Sequence, residues 1–257
     1  MNPLWFLAAI AALTASTAAN AEPLPVAVYV ISKDAKFIGD SMGGAEVVIR
    51  DVSSGKVLAK GITKGGTGDT DRIMRSNGRS PLHTSTDAAH FAAVVDINEP
   101  RLVRLEVKGP LGKPASAIRA SAERWLVPGQ RLDSGEGWTI ELPGLVIDFI
   151  SAQQVPVHAG TTFALEAKIS LLCGCPITPG GMWDAADYEV EALFYRGTQL
   201  MARTPLAFSQ APGGYAGSIA IKDAGNYRLV IAARNIRSGN SGLIENKLRV
   251  LKAKPDR

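Results

Sequence analysis

The two thiols of this chain, Cys173 and Cys175, stand one residue apart in the stretch Leu171-Leu172-Cys173-Gly174-Cys175-Pro176-Ile177-Thr178-Pro179-Gly180-Gly181-Met182-Trp183-Asp184. Four chemistries are open to this set. The plainest is a structural disulfide, since two cysteines in an oxidising compartment normally pair. Gly174 widens the backbone angles that so small a ring demands. A loop this short stabilises little by chain entropy, and a tightly closed bond is expected to be easily reduced. The second chemistry is soft-metal capture. Two thiolates with the Met182 thioether form a donor set suited to Cu(I), which tolerates low coordination. Trp183 would cap the cation through its π face, and the prolines and Gly180-Gly181 would fold Met182 back toward the sulfurs. Zinc normally takes four ligands, and only two are evident here. The third is thiol–disulfide exchange, although the spacing is not Cys-x-x-Cys and no thioredoxin-like frame surrounds it. The fourth is recognition, with Ile177, Met182, Trp183 and the prolines as a rigid apolar tip for a protein partner or ligand.

Other candidate chemistry is weaker. The glycines of Gly65-Gly66-Thr67-Gly68-Asp69-Thr70-Asp71-Arg72 do not have phosphate-loop spacing, and no Gly-Lys-Ser/Thr follows. Asp69, Asp71 and Asp87 offer oxygen ligands without the twelve-residue calcium-loop pattern. His83 and His90 read as exposed or capping residues before ligands, and the histidines of the first domain or His158 are the further donors that could complete the soft-metal site. Neither a Gly-x-Ser-x-Gly elbow nor His-Glu-x-x-His occurs. Asp184, Asp187, Glu189 and Glu191 follow the cysteine loop, with Glu189 and Glu191 on one strand face as a solvated pair. Enzyme status stays uncertain and leans negative.

Period-two alternation dominates the chain and sustained helical periodicity is nearly absent, so the reading is all-β, as two antiparallel β-sandwich domains. Strands are expected at Pro25–Ile31, Ala45–Arg50, Lys56–Ala59, Phe91–Ile97, Arg101–Lys108, Trp125–Val127 and Trp138–Leu142. Residues 114–124 are expected to form a short helix. The stretch from Gly65 to His90 reads as a long irregular loop, functional or disordered. Trp125 and Trp138 are expected in the core or between domains. Pro143-Gly144 is the expected boundary, the domains being 22–144 and 145–257. In the second half, an edge-like entry spans Val155-Pro156-Val157-His158-Ala159-Gly160. The alternation of Phe163–Leu172 and the run Tyr188–Tyr195 then flank the cysteine loop.

Two segments carry resemblances. Gly44-Ala45-Glu46-Val47-Val48-Ile49-Arg50-Asp51, followed by Ser54-Gly55-Lys56-Val57-Leu58-Ala59, resembles the small transthyretin-like or carboxypeptidase-regulatory-like sandwich over some thirty residues, which implies fold and not function. Asp223-Ala224-Gly225-Asn226-Tyr227-Arg228-Leu229 resembles the tyrosine corner of immunoglobulin-like sandwiches over roughly residues 146–252. That resemblance implies a structural bond from the Tyr227 hydroxyl back to the backbone near Asp223. It also makes the cysteine stretch the loop between the second and third strands, at one pole of the sandwich, where binding loops are commonly mounted.

The apolar opening that ends Ala19-Asn20-Ala21 reads as a secretory signal peptide over 1–21, cleaved after Ala21. It is too short for a membrane span. The expected location is periplasmic or secreted, with no membrane span in the mature chain. Net charge is +4, with 16 basic against 15 acidic residues before position 145 and 12 against 9 after it. Without a clustered basic face or many aromatics, nucleic acid is not an expected partner. The combined reading is an exported binding or accessory protein whose Cys173/Cys175 loop is the working tip. That tip would capture an ion such as Cu(I) or present a redox-sensitive contact to a periplasmic protein. A disulfide-stapled adaptor and a thiol–disulfide redox protein are the alternatives.

Overall fold

The computed structural model describes residues 22–77, 82–150, 156–210 and 212–253. The expected signal peptide and Val155 of the edge-like entry lie outside them. The chain is all-β. The first sandwich pairs a three-stranded sheet, ordered β4(His90–Ile97)-β1(Glu22–Ser32)-β7(Trp138–Leu142), with a four-stranded sheet, ordered β3(Val57–Ile62)-β2(Glu46–Asp51)-β5(Arg101–Gly109)-β6(Ile118–Leu126). Alternation explains the layering. Val26, Val28 and Val30 of β1 meet Val47 and Ile49 of β2 and Val103, Leu105 and Val107 of β5 in one buried core. At the β2–β3 turn the Asp51 carboxylate accepts from the Ser53 hydroxyl and from the backbone and hydroxyl of Ser54, at 2.7, 2.7 and 2.8 Å.

The second sandwich is one hydrogen-bonded order, β8(Leu145–Phe149)-β10(Thr162–Leu171)-β13(Gly214–Ala220)-β12(Gln199–Gln210)-β11(Tyr188–Arg196)-β14(Gly225–Asn235)-β15(Ser241–Leu251)-β9(Val157–His158). Strand β12 pairs with β11 through Leu206 and with β13 from Ala207 onward. It therefore carries the chain from one layer to the other. Phe163 of β10 meets Phe194 of β11 edge to face at 6.2 Å across the interior. Tyr227 donates to the Asp223 carbonyl at 2.8 Å, the backbone bond of a tyrosine corner, and its oxygen accepts from Arg196 at 2.8 Å.

Three expectations are corrected. Residues 118–126 form no helix but the strand β6, because Arg119, Ser121, Glu123 and Trp125 alternate with Ala120, Ala122, Arg124 and Leu126 in register with β5. Trp125 is on the outer face and 62% exposed, whereas Trp138 is buried. Alanines at short spacing mimic helix, but the two-residue period decides. The stretch from Gly65 to His90 is not irregular throughout. It contains the helix α1 (Thr70–Met74), capped by the Asp69 carboxylate on the Arg72 N–H at 2.7 Å. Ile73 of α1 joins Phe37, Ala88 and Ala89 in a small core of its own.

Candidate functional site

The cysteine loop leaves β10 at Leu171 and is closed by its own backbone. Gly174 N–H donates to the Leu171 carbonyl at 2.9 Å and Leu171 N–H to the Cys175 carbonyl at 3.3 Å. Gly174 takes a left-handed φ of +80°, which the turn between the two cysteines requires. Cys173 and Cys175 are joined as a disulfide, and both residues are buried. A second turn follows. Thr178 N–H bonds the Trp183 carbonyl at 3.0 Å, and the Asp184 carboxylate accepts from the N–H groups of Ala186 and Gly180, both at 3.1 Å. Those two bonds, Ala186 first, hold the Asp184 carboxyl below the usual range.

The surroundings of the loop change its meaning. It is not a free tip, because it is wedged into the joint between the sandwiches. Leu172 is buried in the core of the first sandwich, while Cys173 and Cys175 on either side of Gly174 belong to the core of the second. Ala35 crosses the other way, from the first sandwich into the second core. The Met42 thioether lies over Gly174, so that a Cβ built there would stand 2.8 Å from Met42 Sδ. The indole N–H of Trp183 donates to the Asp34 carbonyl at 2.8 Å. Beside it, buried Asn240 accepts from Gly144 N–H at 2.6 Å and donates to the carbonyls of Gly144 and Lys33 at 3.2 and 3.4 Å. One side chain thus satisfies both polar groups of the boundary glycine. Lys113 pairs with Asp148 at 2.8 Å on the joint's other flank.

Among the candidate ligands, the two cysteines are together as a disulfide, whereas Met182 is 44% exposed at the outer turn and Trp183 is spent on Asp34. The thioether next to the loop is that of Met42, which the sequence spacing gave no reason to connect with position 174. Among the described residues no cluster of three His, Cys, Asp or Glu side chains is placed to hold a metal ion. The histidines are apart: His83 lies 3.3 Å from Glu136, His90 3.0 Å from the Ala88 carbonyl, and His158 2.8 Å from the Lys252 carbonyl. Three of the four carboxylates after the loop meet an arginine: Asp187 with Arg237, Glu189 with Arg234 and Glu191 with Arg203, at 2.6, 2.5 and 2.8 Å. Asp87 accepts from Ser85 and Asp71 pairs with Arg75. Behind the loop, burial first, then Tyr188 and Asp184, pushes the Tyr215 phenol up to about 12.

Fold and joint together define a tandem of two β-sandwiches, the second with the tyrosine corner of immunoglobulin-like domains. No protein-family model matches the chain, and no curated protein matches it. Solved structures align along most of its length at low similarity. The fibronectin(III)-like modules of Clostridium thermocellum CbhA share 9% identity, covering 94% of this chain and 95% of theirs, with a TM-score of 0.31. The chicken interferon gamma receptor alpha chain shares 11%, covering 89% and 98%, with a TM-score of 0.33. Titin domains z1z2, in complex with telethonin, share 14%, covering 91% of each chain, with a TM-score of 0.24. The fold assignment therefore stands on the strand order and cores of this chain itself.

Proposed function

We propose that this chain is an exported, non-enzymatic binding or accessory protein that presents two sandwiches at a set angle, with the disulfide-stapled loop as the block that sets it. The observation that carries this reading is Leu172, buried in the first core although its neighbours Leu171 and Cys173, with Cys175, are buried in the second. A two-residue loop gains little stability from a disulfide by chain entropy. Its use is geometric: the bond holds Gly174 against Met42 and keeps Leu172 aimed into the first core. Export follows from the 1–21 segment, and an intact mature chain beginning at Glu22 is the expected product by mass spectrometry.

The test is the double substitution Cys173→Ser/Cys175→Ser. Each sandwich is expected to keep its strand signature by circular dichroism. Small-angle scattering should broaden toward a distribution of interdomain angles, and proteolysis near Pro143-Gly144 should accelerate. An unchanged scattering profile would remove the loop from the joint's mechanics. Capture of a soft ion such as Cu(I) by Cys173, Cys175, Met182 and Trp183 needs the two sulfurs as thiolates. Stoichiometric Cu(I) retained by the reduced protein against a chelator, and lost in the double variant, would replace the adaptor reading with metal capture.

A further inference from the structure

Sheet edges expose unpaired backbone donors and acceptors, and proteins blunt them with short strands, bulges, prolines or covering groups. Most edges here are guarded. Strand β9 has two residues. The Ile147 N–H of β8 is taken by the Ser116 hydroxyl at 3.2 Å. Strand β3 carries a register shift against β2, and the chain beyond it joins β4 through the Lys64–His90 backbone pair. Among the described residues strand β6 has no such guard. It ends its sheet, runs for nine residues without proline or glycine, and pairs with β5 at nine positions with no register shift. Its outer face carries Arg119, Ser121, Glu123 and Trp125, all exposed.

Two of these side chains lack what their chemistry calls for. Arg119 stands directly opposite Lys108, and neither forms an ion pair among the described residues, while Arg104 takes Glu123 at 2.6 Å. Like charges directly opposite on a sheet are unfavourable. Trp125 leaves 62% of its surface to solvent beside Val127, itself 47% exposed.

We propose that two copies of this chain associate edge to edge through β6, antiparallel about a two-fold axis at Ala122, joining two four-stranded sheets into one of eight strands. In an antiparallel pair the residues directly opposite share a face, so a two-fold axis must pass through a residue. With Ala122 on it, all nine residues of the strand overlap. Arg119 then faces Trp125 of the second copy and has Glu123 of that copy on the diagonal. Ser121 faces Glu123, Ala120 faces Arg124, and Ile118 faces Leu126. The guanidinium that meets Lys108 within its own chain meets an indole face and a carboxylate in the other. Each contact occurs twice, as an isologous interface requires. Ala120 and Ala122, small and only partly buried on the inner face, leave room for the approach. Val127 of the second copy comes opposite Ala117, on the wall of a cleft of about 670 Å³ that Ile118 and Leu243 also line. A second copy is the occupant because the strand is complementary to itself in charge, face and length.

The experiment is light scattering coupled to size exclusion, with sedimentation, on the mature chain from low micromolar to hundreds of micromolar. A monomer–dimer equilibrium is expected for the native sequence. Trp125→Arg sets arginine against Arg119 of the second copy and is expected to leave a monomer throughout. Adding Arg119→Glu to it turns that clash into an ion pair and is expected to restore the dimer. Both positions are exposed, so melting curves should match the native protein at the low concentrations where it is monomeric. Independently, Ala122→Cys supplies the sole free thiol, on the axis, where facing Cβ atoms stand about 4.5–5.5 Å apart. It is expected to cross-link on mild oxidation, while Ser121→Cys is not. A native chain that is monomeric at every concentration overturns the proposal, and so does a dimer that Trp125→Arg leaves intact. Cross-linking at Ser121→Cys but not at Ala122→Cys overturns the stated register.

Discussion

At the residue scale the joint depends on positions whose importance comes from where the fold puts them. Gly174 is the clearest. Its φ of +80° is a region in which an L side chain costs about 1–2 kcal/mol, and a Cβ there would meet Met42 Sδ at 2.8 Å. The thioether is near the end of a flexible side chain, so the backbone term is the larger of the two. Gly174→Ala should lower unfolding stability by about 1–2 kcal/mol in denaturant titrations, and a double-mutant cycle with Met42→Ala, which by itself weakens the first core, should show a coupling smaller than that loss. Tyr215 gives a pH-dependent counterpart. Its phenol is held neutral up to about 12, by burial first, while in the unfolded chain it ionises near 10. The stability this adds is complete below pH ~10 and is lost as pH rises toward the folded value. Tyr215→Phe should therefore flatten the alkaline limb of the stability profile and leave neutral pH nearly unchanged. The cysteine pair could be read from the sequence as a disulfide or as a donor set, because two adjacent thiols serve either purpose. Met42 could not be read at all, since it lies more than a hundred residues upstream of Gly174 in the chain.

At the element scale the alternating strands were the most legible part, and short alanine-rich segments the least. The alternating run that begins at Phe163 and the run Tyr188–Tyr195 emerge as β10 and β11, β10 with both bounds one residue earlier than the expected Phe163–Leu172 and β11 with its last residue one later. Residues 118–126 carry alanines at 120 and 122 that suit a helix by propensity, yet pairing with β5 over nine positions overrides it. The turn before β15 holds a residue that nothing in its local pattern marks. Asn240 is 1% exposed and makes three hydrogen bonds to Gly144 and Lys33. Asn240→Ala leaves the buried N–H and carbonyl of Gly144 without their partner. It should cost roughly 2–3 kcal/mol, read in denaturant unfolding, and should speed amide exchange at Gly144. A side chain binding a glycine 96 residues away along the chain is a tertiary contact that no periodicity encodes.

At the scale of the whole molecule the two sandwiches are coupled by exchange of residues. Leu172 and Val146 are buried in the first core, and Ala35 in the second. A joint made in this way transmits strain, because each core loses packing if the other shifts. The joint also sets the cysteine loop against the first sandwich and not at a free pole. A loop between the second and third strands of an isolated sandwich would point to solvent, but here the first sandwich stands on that pole and takes Trp183 by its indole N–H. Small-angle scattering of single variants at Leu172, Met42 and Asn240 should show graded loosening of the same interdomain angle. Independent contacts would instead give effects confined to one sandwich's stability.

The sequence by itself determined the fold class, the immunoglobulin-like character of the second sandwich and the location of its chemically distinctive loop. These follow from period-two burial and from turn chemistry acting over a few neighbouring residues, and such local rules can be read along a chain. The tertiary structure alone decided what the loop packs against and where the open surface lies. Which face of the molecule covers Gly174, which edge strand stays unpaired and which tryptophan is left in water depend on how two separately folded layers meet. That meeting is set by the summed packing of residues far apart in sequence, such as Asp34, Met42, Gly144 and Asn240.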